Sequence, residues 1–255
     1  MEAPCRSGSP PTLAIRDAER CGRRSISGAT PGNARPDGGV GPCVGKRLGI
    51  IGAGKVGTTL GRLALAAGWE VRVCASPSRP LQAMIVETLL PGAQLLPEAE
   101  VVAASDIVVL AVPLSKATTV DLAGLSGKVV VDAMNHWYPV DGDLPGVGEA
   151  RSSSHWVASL NPAMRLVKSL NHLGYHDMET DARPAGDPER RAVGAASDDV
   201  EARAAVAGLL DDLGFDPVEL PAADGRHLEG DTPVFGRWVD AEGLRVAVER
   251  SRARR

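Results

Sequence analysis

Short unbroken apolar runs alternate along this chain with stretches in which apolar residues recur every three to four positions, the mark of strands alternating with helices. Leu48-Gly49-Ile50-Ile51 has the length of a buried parallel strand. After it Val56, Leu60, Leu63, Ala64 and Ala67 form the apolar stripe of a helix. Gly68 stands where a helix C-terminal glycine belongs, and Trp69–Cys74 reads as a second strand. Pro80–Leu90 predicts a helix opened by proline, and Glu98–Ala104 a shorter helical piece. Asp106–Pro113 and Gly127–Asn135 are strands with apolar centres, separated by a helix over Leu114–Leu122. Val140–Ser153 is a Gly/Pro/Asp loop, and Ser154–Leu160 is helical. Strands return at Ala163–Ser169, Arg190–Ala196 and Phe215–Leu220, with a helix capped by Asp198 or Asp199 and ended by Gly214 before the last of them. From Gly225 the chain is helical or irregular, and Glu249–Arg255 is basic and frayed.

This order predicts an α/β fold, a Rossmann doubly wound parallel sheet with a smaller C-terminal α/β part. Residues 1–45 are rich in Pro, Gly, Ser and Arg with little apolar periodicity, and read as a disordered extension. The nucleotide-binding domain is expected over 46–158, the smaller part over 159–245 and a basic tail over 246–255.

The first unit carries the chemistry. Gly52-Ala53-Gly54-Lys55-Val56-Gly57 fits G-x-G-x-x-G without a mismatch, between a strand and a helix. In such a unit Gly52 makes the tight turn, Gly54 lets the backbone approach a pyrophosphate, and Gly57 lets the helix sit close on the strand. Free N–H groups at the helix start face the phosphates. The second strand ends in Cys74-Ala75-Ser76-Pro77-Ser78-Arg79, without the acid that binds both ribose hydroxyls in NAD sites. Ser76, Ser78 and Arg79 suit a 2′-phosphate instead, so NADP is favoured over NAD; the plainer reading of Arg79 is a solvated loop residue. The backbone of Ala111, Val112 and Pro113 ends a strand on the edge that faces the cofactor. Asn135 ends the next one there, as a ligand contact or an ordinary turn former.

Other features narrow the function class. A net charge of −4 over 255 residues points to neither nucleic acid nor an anionic membrane as partner. No run is long enough to span a membrane, and the first thirty residues lack the apolar core of a signal peptide, so the chain reads as cytoplasmic. Cys5, Cys21, Cys43 and Cys74 have no paired spacing, and His172, His176 and Asp177 repeat no known ligand frame. No metal is expected, and a polar loop accounts for the latter three. No catalytic acid–base pair stands out.

With the Gly52–Gly57, Asp106–Pro113, Val129–Asn135 and Val167–Asn171 stretches in hand, the chain resembles the coenzyme F420-dependent NADP oxidoreductases and their NADPH-dependent relatives. Arg191–Asp199 (RAVGAASDD), Leu213–Val218, Gly225–Glu229 and Thr232-Pro233 are similar to the family's later pattern. The resemblance runs from about Arg47 to Gly236, and Asp132–Tyr138 (DAMNHWY) looks like a divergent branch. It implies direct hydride transfer between nicotinamide C4 and deazaflavin C5, with F420 as substrate and no acid–base residue demanded. It also implies that Gly52, Gly54, Lys55, Val56 and Gly57 hold the pyrophosphate, that Ser76, Ser78 and Arg79 hold the 2′-phosphate, and that Val112 and Pro113 line the nicotinamide side. Pro77 interrupts the family's passage from Ser into Arg. The deazaflavin would stack in a cleft against the C-terminal part, with His136, Trp137 and Asn171 as candidate contacts from their strand-end position. A homodimer is implied too.

Three alternatives stay open: a hydroxyacid or imine reductase, an NADPH-dependent reductase with a ferric or flavin acceptor, and a non-catalytic NADP sensor. The first needs a long helical domain with a catalytic lysine, whereas this chain returns to strands after Asn161.

Overall fold

The computed structural model describes residues 46–75, 81–230 and 232–253. The Ser76, Ser78 and Arg79 expectations lie outside the described residues, as does the 1–45 extension.

The described chain runs β1 (Arg47–Ile51), α1 (Lys55–Ala66), β2 (Glu70–Cys74), α2 (Gln82–Leu89), β3 (Gln94–Leu95), α3 (Glu98–Ala103), β4 (Ile107–Leu110), β5 (Val129–Asp132), α4 (Tyr138–Asp141), α5 (Ser153–Leu160), β6 (Arg165–Ser169), α6 (Tyr175–Asp181), β7 (Ala192–Ala196), α7 (Val200–Asp212), β8 (Asp216–Leu220) and α8 (Ala241–Ala253). One eight-stranded sheet holds all the strands, in the order β3-β2-β1-β4-β5-β6-β7-β8. Every pairing is parallel except β6–β7, which is antiparallel. The first half is the Rossmann order, with its switch point between β1 and β4. The residues expected as a smaller C-terminal part, 159–245, add β6, β7 and β8 to the same sheet.

Burial on both faces explains why β4 (IVVL) and the start of β5 (VVV) are continuous apolar runs. Successive strand residues feed opposite faces. Ile50, Val109, Val131 and Val167 pack with Leu60 and Ala64 of α1, Met178 of α6 and Val206 and Leu210 of α7. Their neighbours Ile51, Val108, Leu110 and Val130 pack with Val102 of α3, Leu114, Leu122 and Val157 of α5. A third cluster joins Leu244 and Val248 of α8 to Ala192, Ala196, Val218 and Leu220.

Four expectations are corrected. The Leu114–Leu122 helix is instead a pair of 3-10 turns, Leu114–Thr119 and Leu122–Leu125. The β-branched run Thr118-Thr119-Val120 disfavours an α-helix there, and the Asp121 side chain accepts from Gly124 N to start the second turn. The 140–153 loop begins inside a helical turn, α4, closed by Asp141. The polar loop around His176 and Asp177 is the helix α6, and His172 before it is buried. Glu249–Ala253 is not frayed but completes α8, where Val248 is buried and Arg252 pairs with Asp224. The strands also stop earlier than the apolar runs suggest, at Leu110 and Asp132. Among the described residues no helix is long and apolar enough to cross a membrane.

His172 is a pH-sensitive part of this core. Its Nε2 accepts from Gly194 N at 3.3 Å, which requires the neutral ring, and Nδ1 lies 3.4 Å from Asn171 Oδ1. Burial, and then the Arg191 and Lys168 charges, push its pKa from 6.5 to about 3. The unfolded chain therefore binds the extra proton first. The stabilisation is fully present above pH 6.5 and is lost as pH falls toward 3. His172→Gln, which keeps an acceptor but does not titrate, should flatten the acid limb of the urea-unfolding profile between those values. An unchanged limb would show that other groups set it.

Candidate nucleotide and hydride-transfer site

The Gly52–Gly57 loop leaves β1 at the switch point. Gly52 N donates to Cys74 O at 3.0 Å, closing the turn against β2. Gly52 has φ +118, and a Cβ there would stand 2.4 Å from Ala111 O, so the loop presses directly on the end of β4. A Cβ on Gly57 would stand 1.9 Å from Gly52 O, which is the close approach of α1 to β1. Gly54 differs: no protein atom lies within 4 Å of the position a Cβ would take. It is also the N-cap of α1 and supplies no side-chain cap. The loop thus leaves an open backbone cradle and uncapped N–H groups at one spot, which is what an anion needs.

Around this loop the sheet gathers the other expected residues at the C-terminal ends of its parallel strands. Ala111 and Val112 follow β4, half-buried, and Pro113 is exposed. Asn135 follows β5 and is tied to the end of β6: its Nδ2 donates to Asn171 O at 2.7 Å, and Asn171 Nδ2 donates to Asn135 Oδ1 at 3.0 Å. Asn171 also donates to Leu228 O at 2.8 Å. The residue before it, Leu170, is buried with φ 65, a left-handed conformation that a branched apolar side chain adopts only under constraint. His136 and Trp137 lie just beyond Asn135. Trp137 is 57% exposed and Tyr138 62%. Their loop is held by Asp141, which accepts from Ser115 N at 2.9 Å and Trp137 N at 2.8 Å. Burial alone would raise the Asp141 pKa, but these backbone donors outweigh it and leave the carboxyl below its usual range.

Several residues at this edge have no motif to announce them. Tyr175, at the start of α6, places its hydroxyl 2.9 Å from Lys55 Nζ, with the ammonium 4.9 Å from the ring centroid. Lys168 of β6 is buried against Asp132 of β5 at 3.3 Å, and its Nζ also donates to Met134 O. Asp132 accepts from Ser154 Oγ at 2.7 Å and from Met134 N at 3.0 Å. Glu229 accepts from Ser153 Oγ at 2.8 Å at the start of α5. The sequence held one signal for this network: Asp132 and Lys168 are charges that directly follow apolar strand residues, in VVVD and LVK. Beside it opens a cavity of about 490 Å³ between α5 and the 3-10 helix Ala222–Leu228, lined by Arg151, His155, Lys168, Asp198 and Arg226 among others. Among the described residues the side chains of Arg151 and His155 have no hydrogen-bond or ion-pair partner.

Comparison with known proteins agrees with this geometry. Residues 47–136 match the family model described as NADP oxidoreductase coenzyme F420-dependent. No curated protein matches the sequence. The hypothetical protein SMa0349 from Sinorhizobium meliloti is 26% identical with a TM-score of 0.62, over 76% of this chain and 94% of that one. A candidate F420-dependent NADP reductase from Arthrobacter sp. fb24 is 25% identical with a TM-score of 0.59, over 71% and 89%. A reductive aminase from Aspergillus terreus, solved with NADPH and ethyl levulinate, shares the fold at 20% identity and a TM-score of 0.52, over 71% of this chain and 56% of its own. By the match over β1 to the end of β5, and by the sheet those residues open, the chain is an NADP-dependent oxidoreductase whose residues 47–136 are similar to the coenzyme F420-dependent NADP oxidoreductases.

Proposed function

We propose that this protein transfers a hydride between NADP(H) and the deazaflavin coenzyme F420. The observation that carries the reading is the open Gly54 cradle at the β1/β4 switch point, inside the segment that matches the family model. In this reading Gly52, Ala53, Gly54, Lys55, Val56 and Gly57 hold the pyrophosphate, and Ser76, Ser78 and Arg79 the 2′-phosphate. Ala111, Val112, Pro113 and Asn135 bound the nicotinamide pocket. Residues 46–158 then form the nucleotide-binding part and 159–245 the part that closes over the acceptor. The exposed rings of Trp137 and Tyr138, on a loop fixed by Asp141, supply a flat apolar surface for a planar acceptor. The cavity beside Lys168, with its two arginines, suits acidic substituents on that acceptor.

The reaction passes two electrons and a proton as one hydride between two rings, so the protein's contribution is alignment and exclusion of water. The paired Asn135 and Asn171 amides give that edge a fixed shape. With the activity go a homodimer, carried from the resemblance, and a cytoplasmic location, carried from the sequence pattern.

The test mixes the protein with NADPH and oxidised F420 and follows the deazaflavin absorbance, with NADH as control. Bleaching with NADPH and much less with NADH is expected. NADPH binding without bleaching would sink the F420 assignment and leave a reductase with a ferric or flavin acceptor, or an NADP sensor.

A further inference from the structure

The structure assigns Tyr175 a role in nucleotide binding: it is a positioning residue that aims the Lys55 ammonium at the pyrophosphate. The inference rests on the nucleotide reading of the Gly52–Gly57 loop. Lys55 is the first residue of α1 and is exposed, and such a side chain ordinarily samples many rotamers. Here it is held by the Tyr175 hydroxyl at 2.9 Å, with the ring centroid 4.9 Å away. Tyr175 is itself kept in place from several directions. Its ring lies 4.0 Å from that of His176. Along the same helix Glu179 takes both Nε and Nη2 of Arg62 from α1, at 2.6 and 2.8 Å. Met178 is buried in the core beside α1, and Asp181 accepts from the buried Arg191, just before β7, at 2.7 Å. α6 is therefore fastened to α1 on one side and to β7 on the other, and it presents the phenol from a fixed backbone.

The consequence is a pre-organised cation beside the open backbone of Gly54. An ammonium already aimed at a phosphate loses little rotamer freedom when the phosphate arrives. The hydroxyl can also rotate to donate to a phosphate oxygen once Lys55 engages it, since a phenol both donates and accepts.

The experiment measures NADPH binding by nicotinamide fluorescence for the wild-type chain, Tyr175→Phe, Lys55→Ala and the double variant. Binding of 2′-AMP, which lacks the pyrophosphate, serves as the second ligand. Phenylalanine keeps the ring and the packing, so the thermal midpoint should not move. Tyr175→Phe should weaken NADPH about three- to tenfold, the range for one hydrogen bond. It should leave 2′-AMP unchanged and add nothing to Lys55→Ala. Wild-type affinity in Tyr175→Phe, equal losses for both ligands, or additive losses in the double variant would each overturn the role of Tyr175. A wild-type chain that binds 2′-AMP but not NADPH would overturn the pyrophosphate reading itself, and the inference with it.

Discussion

Gly57→Ala should abolish measurable NADPH turnover and lower the stability of the apo chain as well. The added methyl would stand 1.9 Å from Gly52 O, a backbone atom that no rotamer change can move. Relief needs α1 to retreat from β1 by about 1 Å, and displacement of that size costs on the order of a hundredfold in activity. Overpacking of this kind also costs about 1–3 kcal/mol of stability. Gly54→Ala is the informative partner, because its methyl meets no protein atom within 4 Å. That variant should melt with the wild type and still lose NADPH, the methyl now filling space the pyrophosphate needs. Two measurements decide it, the thermal midpoint and the NADPH affinity of each variant. If Gly54→Ala binds NADPH normally, the ligand does not approach at Gly54 and the cradle is a plain turn.

Lys168→Met should be the most destabilising single change outside the loop. It leaves the Asp132 carboxylate, fully buried, without its cation. Breaking a buried pair from one side costs about 3–5 kcal/mol, because the remaining charge keeps its desolvation penalty. Asp132 would retain only the Ser154 hydroxyl and the Met134 amide. The Met134 carbonyl, next to Asn135, would lose its donor too, so the edge beside the proposed nicotinamide pocket should loosen. Urea unfolding should show the drop, and Lys168→Met with Asp132→Leu should recover part of it by removing the stranded charge. A single variant within about 1 kcal/mol of wild type would mean that water or a neighbour replaces the lysine at little cost.

How far the sequence foretells these parts depends on the range of the interaction concerned. The Gly52–Gly57 loop, the buried runs of β4 and β5 and the Asp199 cap of α7 are local patterns, and each stands where its pattern predicts. The 3-10 turns after Pro113 are less legible, since a few apolar residues at that spacing fit periods of 3.0 and 3.6 alike. The direction of β7 is not legible at all: AVGAA reads the same way up or down, and only pairing of Lys168 with Ala196 and Ser169 with Ala195 reveals the reversal. α6 is short and rich in His and Asp, so it reads as a loop, and packing on α1 makes it helical. Lys168–Asp132 and Tyr175–Lys55 join residues 36 and 120 positions apart. Their partners become visible only once the sheet sets the strands side by side.

The two outer strands of the sheet have a consequence for the life of the protein in a crowded solution. An edge strand with a long row of unpaired amides recruits other chains and seeds aggregates. Here one border is β3, two residues long, and the other is β8, where Pro217 removes an amide from the row. Among the described residues neither border offers a long unbroken run on which a ninth strand could be templated. Among the described residues, sideways growth of this valine-rich sheet is therefore disfavoured at both margins, whatever the net charge of the chain.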